Sequence, residues 1–303
     1  MANDELCGVL IVNKHKGVTS HDIVFKIRKL FGTKKVGHTG TLDPMATGVL
    51  PILIGRSAKA SEYITAQDKA YLAEITLGIT TDTEDTSGNI LSKSDTLPTK
   101  SQFFEACNKF VGDIMQVPPM YSALKVGGKK LVDLAREGIE IEREARPIHI
   151  SSIIPEEVDE KRGIYKLNVE CSKGTYIRTL CADIGNFLGC GASMSDLKRT
   201  KSGNFTLNNA HSIEEIEKMS IDERISLLMP TEQLFADLKS VILPDFYARL
   251  CRSGCEIYQH KINSSFSIGE FVRIYDKNGF FALGEVKNYP DGVAIKAVKL
   301  FVL

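Results

Sequence analysis

The residues most capable of chemistry in this 303-residue chain lie in the run His38-Thr39-Gly40-Thr41-Leu42-Asp43-Pro44-Met45-Ala46-Thr47-Gly48. Asp43 precedes a proline that stiffens the backbone, and Gly37, Gly40 and Gly48 allow another molecule to come close. A carboxylate, an imidazole and two hydroxyls on one tight loop, beside a cationic segment, suit a polyanionic substrate. An Asp-Pro turn whose carboxylate merely caps its own backbone has the same composition. A second cluster, Lys173-Gly174-Thr175-Tyr176-Ile177-Arg178, breaks a strand at glycine. If the chain stays extended, Tyr176 and Arg178 share a face. There an aromatic ring could stack on an extruded base and a guanidinium could pair with a carboxylate. Residue types alone favour a surface Tyr and Arg at a helix start.

These clusters need elements to carry them. Val9 to Val12 reads as a strand, and Ser20 as the N-cap of a helix through Ile23, Ile27 and Leu30 that stops at Gly32. Val49 to Ile54 reads as a buried strand, and the alternation of Lys69 to Gly78 as another, with an acidic turn behind it. Residues 100–112 predict an amphipathic helix presenting Phe103, Phe104, Cys107 and Val111 to a core. Residues 113–146 predict an insertion able to close on a ligand, and 193–207 a short strand or loop. From about Phe235 the texture becomes β-rich, with Asn278-Gly279 as a hairpin signal. The expected domains are therefore 1–232 and 233–303.

Net charge is zero, from 38 basic and 38 acidic residues, but the distribution is uneven. Lys26, Arg28, Lys29, Lys34 and Lys35 fall between Ile23 and Leu42 without an acidic residue. Lys198, Arg199 and Lys201 form a second basic patch, while Asp82, Glu84 and Asp85 gather elsewhere. That is the pattern of one cationic face, suited to phosphate, and also of an ordinary solvated helix. The N-terminus lacks the basic and apolar regions of a signal peptide, and no apolar run approaches bilayer length. Seven irregularly spaced cysteines fit a reducing compartment, so a cytoplasmic location is expected. Cys251, Cys255 and His260 lack a further ligand pair nearby in sequence, and no metal is predicted.

Taken together, GVLIVNKHKGVTS, VGHTGTLDPMATGVLPILIGRSAKA, KAYLAEITLGITTDTEDTSG, VPPMYSALKVGGKKLVDLAREG and CSKGTYIRTLCADIGNFLGCGASMSDLKRTKSGNF resemble successive segments of the bacterial TruB family, the tRNA pseudouridine-55 synthases. The resemblance spans about residues 8 to 210, and the tail is similar to a PUA-type RNA-binding domain. It implies an α+β pseudouridine synthase fold on a mixed, mainly antiparallel sheet, followed by a small PUA-like β-barrel. Asp43 then aligns with the nucleophile, Tyr71 with the tyrosine that stacks on the flipped uracil, and Tyr176 and Arg178 with pocket residues, Arg178 pairing with the carboxylate. His38 matches the histidine that enters the T-loop, Leu197 an apolar pocket wall, and Lys14 and Ser20 the supporting N-terminal motif. His15 stands where the family commonly has proline.

The implied partner is the T-arm of tRNA, with Lys26, Lys29, Lys34, Lys35, Lys198 and Arg199 as backbone contacts. No cofactor is implied, because the reaction is an isomerisation and the chain lacks dinucleotide and Walker motifs. No membrane or obligate protein partner is expected, and the default is a monomer. Arg178→Lys is expected to impair the enzyme because lysine cannot form a bidentate fork. Residue types leave open whether Asp43 attacks the base or the sugar. The alternatives are a noncatalytic tRNA-binding or tRNA-folding protein on the same scaffold, and a glycosidase-like hydrolase, which would ordinarily need a second carboxylate.

Overall fold

The structure, a computed structural model, describes residues 6–64 and 68–302; the N-terminal residues 1–5 read above for a targeting signal lie outside it. The chain begins with β1 (Gly8–Lys14), α1 (Ser20–Leu30), β2 (Val36–His38), β3 (Thr47–Ile54), the single turn α2 (Ser61–Ile64) and β4 (Lys69–Leu77). A hairpin, β5 (Ile79–Thr81) and β6 (Ile90–Lys93), leads to α3 (Lys100–Lys109) and β7 (Gly112–Gln116). Next come β8 (Lys125–Val126), β9 (Lys129–Lys130), α4 (Leu131–Arg136), β10 (Arg146–Asp159), β11 (Ile164–Cys171), α5 (Ile177–Phe187), β12 (Ala192–Ser202) and β13 (Phe205–Thr206). Two short helices, α6 (Ile213–Lys218) and α7 (Ile221–Ser226), precede β14 (Ser240–Ile242), α8 (Asp245–Arg252), β15 (Ile257–Tyr258), β16 (Phe271–Asp276), β17 (Gly279–Tyr289) and β18 (Gly292–Leu300).

The main sheet runs in the order β1-β3-β12-β4-β11-β10-β7, with β2 on β3 and β13 on β12. Its pairings are antiparallel except β3 with β12, so the sheet is mixed and mainly antiparallel. The predicted alternation of β4 is observed: Tyr71, Ala73, Ile75 and Leu77 are buried and their neighbours are not. Those side chains share a core with Ile23, Val24 and Ile27 of α1 and with Leu180 and Ile184 of α5.

Several expectations need correction. Residues 192–202, read as a short strand or loop, form the long β12, which joins β3 to β4 at the centre of the sheet. Its basic residues disguised it, because a central strand is usually apolar throughout. The helix N-cap is Thr19, whose side chain closes a capping box with Asp22, and not Ser20. Val111 lies beyond the end of α3 and is 41% exposed, so it does not join Phe103 and Cys107 in the core. The insertion is narrower than 113–146, since β7 is the edge strand of the main sheet, pairing Gln116 with Arg146. What protrudes is the β8–β9 hairpin with α4, packed around Met120, Leu131 and Leu134.

The C-terminal sheet has the order β14-β16-β17-β18-β15, and its β16–β17 hairpin turns through Lys277-Asn278, one residue before the Asn278-Gly279 pair that the sequence predicts. It is not isolated from the first sheet. Leu283 and Phe301 share a buried cluster with Val9, Ile11, Val49 and Leu53, on the opposite face of β1 and β3 from α1.

Candidate active site

The loop between β2 and β3 carries Asp43, and three buried contacts fix it. Ser20 Oγ donates to the Leu42 carbonyl at 3.1 Å and accepts from the Leu42 N–H at 2.8 Å. Lys14, fully buried, sends its ammonium to the carbonyls of Ala46 (2.6 Å), His15 (3.0 Å) and Pro44 (3.3 Å). The Asp43 backbone carbonyl accepts from Ala46 N–H at 3.0 Å. Residues 42, 44 and 46 are thus tied while the Asp43 side chain stays partly open, 34% exposed. Burial lowers the Lys14 ammonium to about 8, with the Asp43 carboxylate opposing that shift.

Arg178 meets Asp43 through Nε at 2.9 Å. Its other nitrogens go elsewhere: Nη1 donates to the Thr83 carbonyl at 2.9 Å and Nη2 to the Tyr121 carbonyl at 2.8 Å. The expected bidentate fork on the carboxylate is therefore not formed. One guanidinium ties together the Asp43 loop, the β5–β6 turn and the insertion. Asp85 stands 3.9 Å from the same Nε, 5% exposed, and accepts from Thr83 Oγ1, Ser87 Oγ and Ser87 N–H. Tyr176 and Arg178 do not share an extended face, because α5 begins at Ile177 with Tyr176 at its N-cap. They still reach one cavity. The buried Gln116 amide grips the Tyr176 backbone from both sides, accepting from its N–H at 2.8 Å and donating to its carbonyl at 3.1 Å.

The sheet supplies the cavity floor. On β4 and β12 the register places Tyr71 opposite Arg199 and Ala73 opposite Leu197, so these side chains share one face. Arg199 is 1% exposed and donates to the carbonyls of Val49 (2.7 Å), Gly40 (3.2 Å) and Thr41 (3.4 Å). It is a buried pocket residue and cannot serve as the surface phosphate contact expected of it. Burial raises the Tyr71 phenol above its ordinary value, and the Arg199 guanidinium opposes that rise. Gly48 makes the junction possible: at φ +102, an added Cβ would lie 2.2 Å from the Arg199 carbonyl oxygen.

These residues surround a cavity of about 550 Å³, lined among others by Asp43, Lys69, Tyr71, Tyr176, Arg178, Leu197 and Arg199. The insertion contributes Tyr121, Ser122, Lys130 and Arg136 to the same wall. Lys69, which carries no signal of its own in the sequence, was missed. Its place two residues before Tyr71 on an alternating strand was the clue. Burial, ahead of the nearby Arg199 charge, lowers the Lys69 ammonium to about 8.

Other expected site residues lie outside the lining. His38 ends β2, and its Nδ1 accepts from Gly40 N–H at 3.3 Å. Burial and Arg199 hold its imidazole below the usual range, leaving a neutral ring with Nε2–H as donor. Lys26 is paired with Glu217 at 2.8 Å, Lys29 lies over the Phe25 ring at 4.7 Å, and Lys34 and Lys35 are exposed. Lys198 points with Leu72 to the face of the sheet away from Leu197 and Arg199. No group of three or more metal-ligating residues occurs among the described residues, and Cys251 is buried while Cys255 is exposed.

Residues 28–177 match the family described as TruB family pseudouridylate synthase (N terminal domain). Residues 178–244 match the tRNA pseudouridylate synthase B C-terminal domain. The tRNA pseudouridine synthase B of Clostridium tetani (strain Massachusetts / E88) is 42% identical over 296 residues, 97% of this chain and 99% of that protein. The chain belongs to the TruB family. The protein of the same name from Bacillus licheniformis is 48% identical over 255 residues, 82% of each chain. Among solved structures, a chain of a Cbf5-Nop10-Gar1 complex superimposes with a TM-score of 0.75 at 24% identity, covering 97% of this chain and 85% of that one. That likeness shows the fold. As a TruB-family pseudouridine synthase the protein has the expected α+β architecture, a mixed, mainly antiparallel sheet followed by a curled PUA-like sheet.

Proposed function

We propose that this TruB-family enzyme isomerises uridine 55 in the T-loop of tRNA to pseudouridine, with Asp43 as the nucleophile. The observation that carries the reading is the Asp43 carboxylate, bonded to Arg178 Nε at 2.9 Å, on the wall of a cavity whose floor is Tyr71 and Leu197. The cavity falls in the volume range of small-ligand sites, so a flipped nucleoside is accommodated. Flipping costs a few kcal/mol. Stacking on Tyr71, worth about 1–3 kcal/mol for a base on an aromatic ring, offsets part of it. His38 filling the vacated stack would supply more.

In the reaction the N1–C1′ bond breaks, the uracil turns, C5 bonds to C1′, and the proton on C5 leaves while N1 gains one. Composition is unchanged, so no electron donor or cofactor is required. Asp43 supplies the charge that carries the separated base or sugar, and the Arg178 Nε contact at 2.9 Å holds its carboxylate in place. The raised Tyr71 phenol enters as a neutral stacking surface. To take the C5 proton it would first have to give up its own, and Arg199 opposite is the group that stabilises the phenolate so formed.

The partner is the tRNA T-arm, with Lys29, Lys34 and Lys35 toward its backbone, and the C-terminal 233–303 unit assists binding. A monomeric cytoplasmic enzyme fits this reading, and no helix among the described residues is long and apolar enough to cross a membrane. Mapping pseudouridine in unmodified tRNA after incubation with the protein tests the assignment. One new pseudouridine at position 55 is expected. Modification of another loop would overturn the position. Tight binding without modification would move the protein to the tRNA-binding reading, and released uracil would mark a hydrolase.

A further inference from the structure

The cavity is lined by five cations, Lys69, Lys130, Arg136, Arg178 and Arg199, against the single carboxylate of Asp43. Lys130 and Arg136 come from the insertion. On the sheet side, Lys69 shares the face of Tyr71, and the neighbouring loop is built to approach it. Gly40 has φ +140, and a Cβ there would lie 3.9 Å from Lys69 Cε and 3.7 Å from Arg199 Nη1. The adjacent Thr39 lines the same cavity, is 2% exposed, and its Oγ1 has no hydrogen-bond partner among the described residues. A buried hydroxyl without a partner costs stability unless a ligand satisfies it.

We propose that Lys69 and the Thr39 hydroxyl form the seat of one phosphodiester flanking the flipped nucleotide. The proposal rests on the nucleotide-flipping reading above and adds a specific anchor to it. A nucleotide extruded from an RNA strand necessarily brings a phosphate on each side. Seating one of them beside Tyr71 fixes the position of the sugar relative to Asp43. The groups facing Lys69 are Arg199 from β12, Cys171 and Lys173 at the end of β11, and Asp68 on its own segment. Arg199 and Lys173 are cations and Asp68 a carboxylate, so with Lys69 itself the balance is positive, which favours an anion among them. Burial first, and then the Arg199 charge, lowers the Lys69 ammonium to about 8, and a bound phosphate would raise it again.

The test uses the full chain and a T-arm stem–loop RNA, with binding measured across a KCl series for wild type, Lys69→Met and Lys69→Arg. Lys69→Met is expected to weaken binding about tenfold and to make the log–log salt slope shallower by about 0.7, the value for one phosphate contact on a single strand. Lys69→Arg should keep most of the affinity. Replacing the flanking phosphates one at a time by uncharged methylphosphonates should weaken the wild type at one of the two positions. Lys69→Met should suffer no further loss at that position. An unchanged salt slope in Lys69→Met, or an equal methylphosphonate penalty in wild type and variant, would overturn the seat. Pseudouridine formation by the wild type on the unsubstituted RNA reports separately on the parent reading. Its loss with the coupling intact would reject the reaction and keep the anion site.

Discussion

At the scale of single residues, Arg178 decides more than its charge suggests. With 5% exposure, it answers the carbonyls of Thr83 and Tyr121 as well as the Asp43 carboxylate. A lysine's three donors radiate from one nitrogen and cannot span the three directions that the guanidinium covers, leaving buried acceptors that each cost about 1–3 kcal/mol. Arg178→Lys keeps the positive charge and should still lower the single-turnover rate by about a hundredfold or more, through misplacement of Asp43. A rate equal to wild type would remove the guanidinium from the account. The loop around Asp43 was legible in the sequence because Asp, His, Pro and Gly crowd into one short run. Arg199 was misread because a basic residue in a basic patch looks like surface. Only the register of β12 against β4 shows that its side chain turns inward. The choice of Thr19 over Ser20 as N-cap was equally invisible, since both hydroxyl residues fit and the Leu42 backbone claims Ser20.

Among the elements, α5 and the β3–β12 junction are the most exacting. Asp183 on α5 has its carboxyl raised by burial, then by Glu84, to about 6 from an ordinary 3.8. A raised carboxyl favours the folded state at low pH and loses that contribution as pH climbs through about 6. Asp183→Asn should thus be more stable than wild type at pH 7, by on the order of 1–3 kcal/mol, with the difference vanishing in acid. Denaturant unfolding across this pH range checks it, and a pH-independent difference would contradict the titration. Gly48 is the backbone requirement at the parallel junction. Gly48→Ala should cost more than about 2 kcal/mol or abolish folding, since both its left-handed φ and the Arg199 carbonyl forbid a Cβ. A wild-type melting temperature in that variant would show that the junction relaxes. The alternation of β4 made that strand readable, whereas β12 hid behind Asp196, Lys198, Arg199 and Lys201.

For the whole molecule, the two sheets share a buried seam. Phe301, 2% exposed, stacks near Phe280 at 5.5 Å and Phe235 at 5.7 Å, beneath β1 and β3. Phe301→Ala should cost about 3–5 kcal/mol and lower a single unfolding transition. Two separated transitions would mean the C-terminal sheet folds independently. The β texture of this tail was plain in the sequence from its turn spacing. Its docking was not, because a strand with apolar residues on both faces does not say what will cover each one. Zero net charge likewise concealed the cationic cavity, whose five positive groups come from four separate stretches of chain.

The central claim is that Asp43 carries the isomerisation, and tritium release from tRNA labelled at C5 of uridine measures it directly, with Asp43→Asn alongside. Release by the wild type is expected, with a loss of more than about a thousandfold in the variant and tRNA affinity retained. Release by Asp43→Asn at the wild-type rate would contradict it.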